Sequence, residues 1–140
     1  MTRDEMVELC REWQDAWVEH DLPALTRLYA DEVELDSPMA GNVTGREAVT
    51  KASAGVFGAL PDMDMTAEPP LIDGNRAAIA AEFAGTHVGS FMGLTLTDKP
   101  FRFQLVFLLD VKDGKIVRDR RIYDFTGLMV QLGVLKAKPV

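Results

Sequence analysis

One cysteine, two histidines and a deficit of positive charge set the first limits on this 140-residue chain. A lone Cys10 excludes an intramolecular disulfide framework and every multi-cysteine zinc pattern. Its helical spacing with Val7 and Trp13 reads as a buried structural thiol, since a reactive thiolate needs a cationic, exposed setting. His20 and His87 lie far apart with no His-x-x-x-His spacing, so no metal is expected. Fifteen Lys and Arg against twenty-two Asp and Glu give a net charge of −7 with no basic run. That balance speaks against nucleic acid and against an anionic membrane surface as partners. No apolar run approaches the roughly 18–20 residues that span a bilayer. The opening MTRDEMVELC has no apolar signal core, and a cytoplasmic location is expected. Also missing are a phosphate-cradling glycine loop, a dinucleotide fingerprint and a nucleophile elbow, so no cofactor is expected.

What is present fits one domain over residues 1–140: apolar types make up 47% and charged types 26%, ordinary for a globular fold. Thr2 and Glu5 have capping-box spacing, and Met6, Leu9, Cys10, Trp13 and Trp17 recur every three or four residues, which predicts an amphipathic helix. Asp21 with Pro23 opens a second helix. Val33 to Pro38 alternates as a half-buried strand, Gly41 marks a turn, and Thr44 with Glu47 forms a second capping box for a helix ending at Pro61. From there the period becomes two. Strands are predicted over Asp64 to Leu71, Arg76 to Gly89, Phe101 to Val111 and Lys115 to Tyr123, with turns at Asp73-Gly74 and Asp113-Gly114. Asp124 caps a short closing helix. Helices followed by a hairpin-linked meander define an α+β domain with an antiparallel sheet and helices on one face.

Three passages carry a resemblance. They are Leu28 to Pro38 with Gly41 and Gly45-Arg46-Glu47-Ala48; Gly85-Thr86-His87-Val88-Gly89-Ser90-Phe91-Met92-Gly93; and Asp113-Gly114-Lys115-Ile116 through Tyr123-Asp124 to Gln131-Leu132-Gly133. Together they resemble the SnoaL-like polyketide cyclases of the nuclear transport factor 2-like (NTF2-like) superfamily. The resemblance implies a cone-shaped α+β fold in which N-terminal helices pack on a curved antiparallel or mixed sheet and enclose a deep apolar pocket. It does not fix the reaction, because the superfamily holds cyclases, isomerases, epoxide hydrolases, dehydratases and plain binding domains. Trp13, Trp17, Phe57, Phe83, Phe103 and Phe107 are the expected apolar lining, suited to a ligand held mainly by burial.

His87 falls by alternation on the face of Ile79, Ala81 and Phe83, so its imidazole is the candidate acid/base. Arg121 and Tyr123 share a face with Val117 and Asp119. Aligned through Gly114-Lys115-Ile116 and Gln131-Leu132-Gly133, Arg121 occupies the place of the cyclases' general acid/base aspartate. An arginine does not deprotonate in a protein, but it can grip a carboxylate, phosphate or enolate. Its bland reading is a sheet-surface ion pair with Asp119. In the ketosteroid isomerase register Trp13 replaces the catalytic tyrosine and Ser37 the base, so that mechanism is not carried over. Alternation points Asp36 and Glu82 outward, and His20 is expected in solvent.

The expected activity is a cofactor-free acid/base reaction of cyclase, isomerase or dehydratase type on an apolar carbonyl compound, with His87, Arg121 and Tyr123 catalytic. The alternative is a non-catalytic binding domain for an apolar, anionic small molecule. Val106 and Leu108, on the outer face of the Phe101 to Val111 strand, suit a homodimer formed through the sheet.

Overall fold

Both signals of the first helix operate in the computed structural model, which describes residues 1–86 and 98–136. The Thr2 hydroxyl accepts from the Glu5 amide at 3.1 Å, and the Glu5 carboxylate accepts from the Thr2 amide at 3.0 Å. Helix α1 (Arg3–Val18) buries Met6, Leu9, Cys10, Trp13, Ala16 and Trp17 along one stripe. Asp21 caps α2 (Leu22–Arg27) through the Ala24 amide, with proline in the first turn. The third helix, α3 (Arg46–Ala59), differs from expectation. Its N-cap is Gly45 at φ +101°, with no side-chain cap, so Thr44 does not form the box its spacing suggested. Thr44 instead ends a strand.

The strands are β1 (Tyr29–Ser37), β2 (Gly41–Thr44), β3 (Asp64–Ala67), β4 (Leu71–Asp73), β5 (Arg76–Thr86), β6 (Pro100–Lys112) and β7 (Lys115–Tyr123), and α4 (Phe125–Gln131) closes the described chain. They form one unclosed sheet in the order β2-β1-β7-β6-β5-β3, with β4 also on β5. Strand β2 went unforeseen because Gly41, at φ +69°, both makes the turn and begins the strand. Pro69 and Pro70 split the expected strand over 64–71 into β3 and β4.

The sheet is mixed, because β1 pairs with β7 in parallel. The meander β5-β6-β7 is antiparallel, as hairpin logic required. A bulge between Asp110 and Val111 shifts the β7 register, and Ile116 rather than Val117 enters the core. Asp119, the register partner of Leu35 in β1 and Leu109 in β6, is fully buried. Helix α1 packs its tryptophans against Phe83 and Phe107 of the inner face. No helix among the described residues is long and apolar enough to cross a membrane.

Candidate functional site

The aromatic cluster does not fill the space it surrounds. A cavity of about 460 Å³ opens between the inner face of the sheet, α3 and α4, within the range that suits a small organic ligand. Trp17, Leu35, Phe83, Phe101, Phe103 and Leu105 form its deep walls, and Ala48, Ala52, Gly55 and Val56 of α3 form the opposite one. The small residues on α3 leave the volume open. The lining includes Ser37, Lys51, Arg121 and Tyr123 as its other polar side chains, and no described carboxylate. Lys51 is exposed.

Arg121 has a side chain only 9% exposed. Its Nη2 donates to Asp119 Oδ2 at 3.0 Å and its Nε lies 3.4 Å from Oδ1. Asp119 is fully buried and receives a third donor, the Tyr29 hydroxyl, at 2.6 Å. The Trp13 indole donates in turn to the Tyr29 oxygen at 3.2 Å. The ion pair foreseen between Arg121 and Asp119 therefore forms, but inside the cone rather than on a sheet surface. The guanidinium carbon stands 5.2 Å from the Trp17 ring centre and 5.4 Å from that of Phe107, close enough for cation–π attraction.

Electrostatics hold Arg121 and the two tyrosines, Tyr29 and Tyr123, in their protonated forms. Burial works against the Arg121 charge, but Asp119 and then Tyr29 outweigh it and hold the guanidinium more firmly protonated than usual. Burial first, and the Asp119 charge second, hold the Tyr29 phenol well above the ordinary tyrosine range. Burial pushes Tyr123 up to about 12, against the lowering effects of Arg121 and the Met39 backbone. Near neutral pH the cavity therefore presents a fixed cation and a protonated phenol. Both are donors, and they suit a ligand oxygen that carries or develops negative charge.

Of the six aromatics expected to line the pocket, Trp17, Phe83 and Phe103 do so. Trp13, Phe57 and Phe107 are outside the lining. Trp13 and Phe107 are wholly buried behind it, and Phe57 stacks on His20 with ring centres 4.7 Å apart. His20 is half-buried rather than free in solvent, and its Nε2 is 2.8 Å from the Met63 carbonyl oxygen. Arg121 and Tyr123 meet at the cavity. His87 and the Val88 to Gly93 part of its motif lie outside the described residues. Glu82 pairs with Arg102 on the outer side, and Asp36 is likewise outside the lining. Sequence reasoning points Tyr29 inward from the second helix, whereas it begins β1, and it missed both the bond from Tyr29 to Asp119 and the part played by Leu128, Met129 and Leu132 of the closing segment. The signal for Tyr29 was present: a tyrosine at the start of a strand packs inward only where its hydroxyl has a partner.

A mixed, unclosed sheet curled over helices around an apolar cavity defines a small-molecule pocket protein of the NTF2-like, ketosteroid isomerase-like fold. The SnoaL-like polyketide cyclase family matches residues 7–132, and the chain belongs to that family. Its fold is similar to that of AclR from Streptomyces galilaeus, a candidate hydroxylase, with 28% identity and a TM-score of 0.83 over 99% of this chain and 91% of that one. IdmH from Streptomyces antibioticus, described as a candidate polyketide cyclase, is 25% identical at a TM-score of 0.75 over 92% and 99% of the two chains. A SnoaL-like protein from Jannaschia sp. CCS1 shares the fold at 18% identity and a TM-score of 0.85, over 94% of each chain. No curated protein matches the chain in sequence.

Proposed function

We propose that this protein takes up an apolar, polyketide-like carbonyl compound and moves a proton on it without a cofactor, in a cyclisation, isomerisation or dehydration. The observation that supports this reading is Arg121, a buried cation on the wall of an otherwise apolar cavity. Removing a proton beside a carbonyl puts negative charge on its oxygen, and a preorganised donor in a dry site stabilises that charge far better than water does. Tyr123, kept protonated, adds an O–H from the same strand. Arg121 cannot be the base. That role is assigned to His87 on its chemistry, since imidazole changes charge near neutrality.

Proton exchange tests the reading. An enolisable aromatic ketone such as tetralone, incubated with the protein in deuterated water, should lose its α-proton signal faster than in buffer. His87→Ala should slow that exchange by about 10²- to 10⁴-fold. A variant that exchanges at the parent rate removes His87 from the mechanism.

The second reading is a binding domain for an apolar anion, favoured by the lack of a carboxylate among the described lining residues. It predicts tight binding of an aromatic carboxylate with no acceleration of exchange. Equal affinities for the acid and its neutral ester would take Arg121 out of both readings. Pairing of two copies through the outer sheet face belongs to the same proposal, supported by Val106, Leu108 and the 53% exposed Ile122. Sedimentation of the purified chain and of Ile122→Glu tests it, and a monomeric parent chain would overturn it.

A further inference from the structure

A buried guanidinium and carboxylate interact best as a fork, with two parallel hydrogen bonds near about 2.8 Å. Arg121 and Asp119 fall short of that. Nη2 stands 3.0 Å from Oδ2, and Nε 3.4 Å from Oδ1, the latter beyond the usual N–H···O range. The shortest bond on the carboxylate belongs to Tyr29, at 2.6 Å, and it lands on Oδ2, the oxygen that also takes Nη2. Trp13 fixes the direction of that bond. Its indole can only donate, so the Tyr29 oxygen accepts from it at 3.2 Å and the hydroxyl proton goes to Asp119. No described acceptor is paired with Arg121 Nη1.

We propose that Tyr29, oriented by Trp13, is a positioning residue that sets the pocket's preference for anions. By satisfying much of Asp119 it leaves Arg121 underbonded and able to take a charged ligand oxygen from the cavity. The inference rests on the reading of Arg121 as the ligand's anion partner. Arg121 lines the cavity and the other three do not, so Trp13, Tyr29 and Asp119 act on a ligand only through it. Without the tyrosine hydroxyl, Asp119 would close on the guanidinium as a full fork and compete with the ligand. The same chain explains why a buried tyrosine is used where phenylalanine would pack equally well.

Two fluorescent probes with one apolar body make the test: anilinonaphthalene sulfonate, an anion, and N-phenylnaphthylamine, which lacks the sulfonate. The ratio of their dissociation constants reads the charge preference with apolar burial cancelled. The wild type should favour the sulfonate by about tenfold or more, as a charge-assisted bond implies. Arg121→Met should abolish that preference. Tyr29→Phe should cut it by about three- to tenfold and leave the neutral probe's affinity within about twofold; a merely structural defect would weaken both probes. Trp13→Phe, which keeps the hydroxyl but frees its proton, should lower it by about two- to threefold and serves where Tyr29→Phe does not fold. Preference kept in Tyr29→Phe, or in Trp13→Phe where that variant stands in, but lost in Arg121→Met overturns this inference alone. A wild type without preference, or Arg121→Met that retains it, overturns the underlying reading of Arg121.

Discussion

Breaking the Arg121–Asp119 pair from each side, and then from both, measures how buried it is. Removing one partner of a buried pair costs about 3–5 kcal/mol because the other charge is left uncompensated. The two sides differ here. Asp119→Leu leaves a guanidinium on the cavity wall, where entering water can solvate it, and also strands the Tyr29 hydroxyl; about 3 kcal/mol is expected. Arg121→Met leaves a fully buried carboxylate with only Tyr29 donating to it, and about 4 kcal/mol is expected. The double variant strands only Tyr29 and should cost about 1–2 kcal/mol. The coupling between the two positions is then about 5 kcal/mol. Urea unfolding followed by circular dichroism and by tryptophan fluorescence supplies all four stabilities. Each kcal/mol corresponds to about 3–5 °C of melting temperature at this chain length, so Arg121→Met should melt roughly 10–20 °C lower. A coupling below about 1 kcal/mol would mean the pair behaves like a solvent-screened surface bridge, and the electrostatic account of the pocket would fail with it.

Stability should also fall with alkali. Cys10, pushed up to about 11 by burial, and Tyr123, at about 12, both have folded values above their unfolded ones. Their contributions are whole below about 8.5 and about 10 and are lost as pH rises through the folded values. In Cys10→Ala the first decline in urea midpoint should move from about pH 9 to about pH 10; an unmoved onset refutes the assignment. Gly127→Ala would bring a Cβ to 2.2 Å from Asp124 Oδ2, forcing that side chain off the amide it caps at 2.9 Å. It should cost about 1 kcal/mol, as Asp124→Ala should, and the two should not add. Ala52→Phe puts a ring into the cavity from α3. Probe affinity should fall at least about tenfold with folding stability held or raised, and unchanged binding would place the ligand elsewhere.

How far the residues foretold the structure depended on how local each signal was. The capping box at Thr2 and the caps at Asp21 and Asp124 rest on contacts three residues apart and form, whereas the equally local Thr44–Glu47 box does not, because pairing with β1 takes Thr44 into β2. The alternation in β6 reported its buried face correctly, because one face of a hairpin-linked strand must meet the core. The parallel β1–β7 pairing was not readable, since no short turn joins strands so far apart in sequence. That pairing is what brings Tyr29 over Asp119 and converts an expected surface bridge into a buried one. The pocket's cation was thus legible as a residue and its setting was not. Likewise, a list of large aromatics cannot say which of them face space and which face one another: Trp13 and Trp17 sit four residues apart on one helix stripe, yet only Trp17 reaches the cavity.

The anionic ligand proposed for Arg121, in a chain of net charge −7, raises the question of which field wins. The surface charges act across solvent, and beyond about 8–10 Å physiological salt screens them, so their repulsion slows the approach of an anion without reaching into the cavity. Arg121 acts at contact. At about 4 Å and an effective dielectric of about 20, a unit charge gains about 4 kcal/mol. Asp119 lies behind the guanidinium and takes back part of that gain, and the fraction returned depends on how tightly the two are forked. On the proposal above, the ligand's charge selectivity would be governed less by the number of cations in the wall than by how far the Tyr29 hydroxyl, oriented by the Trp13 indole, satisfies Asp119 in place of the arginine.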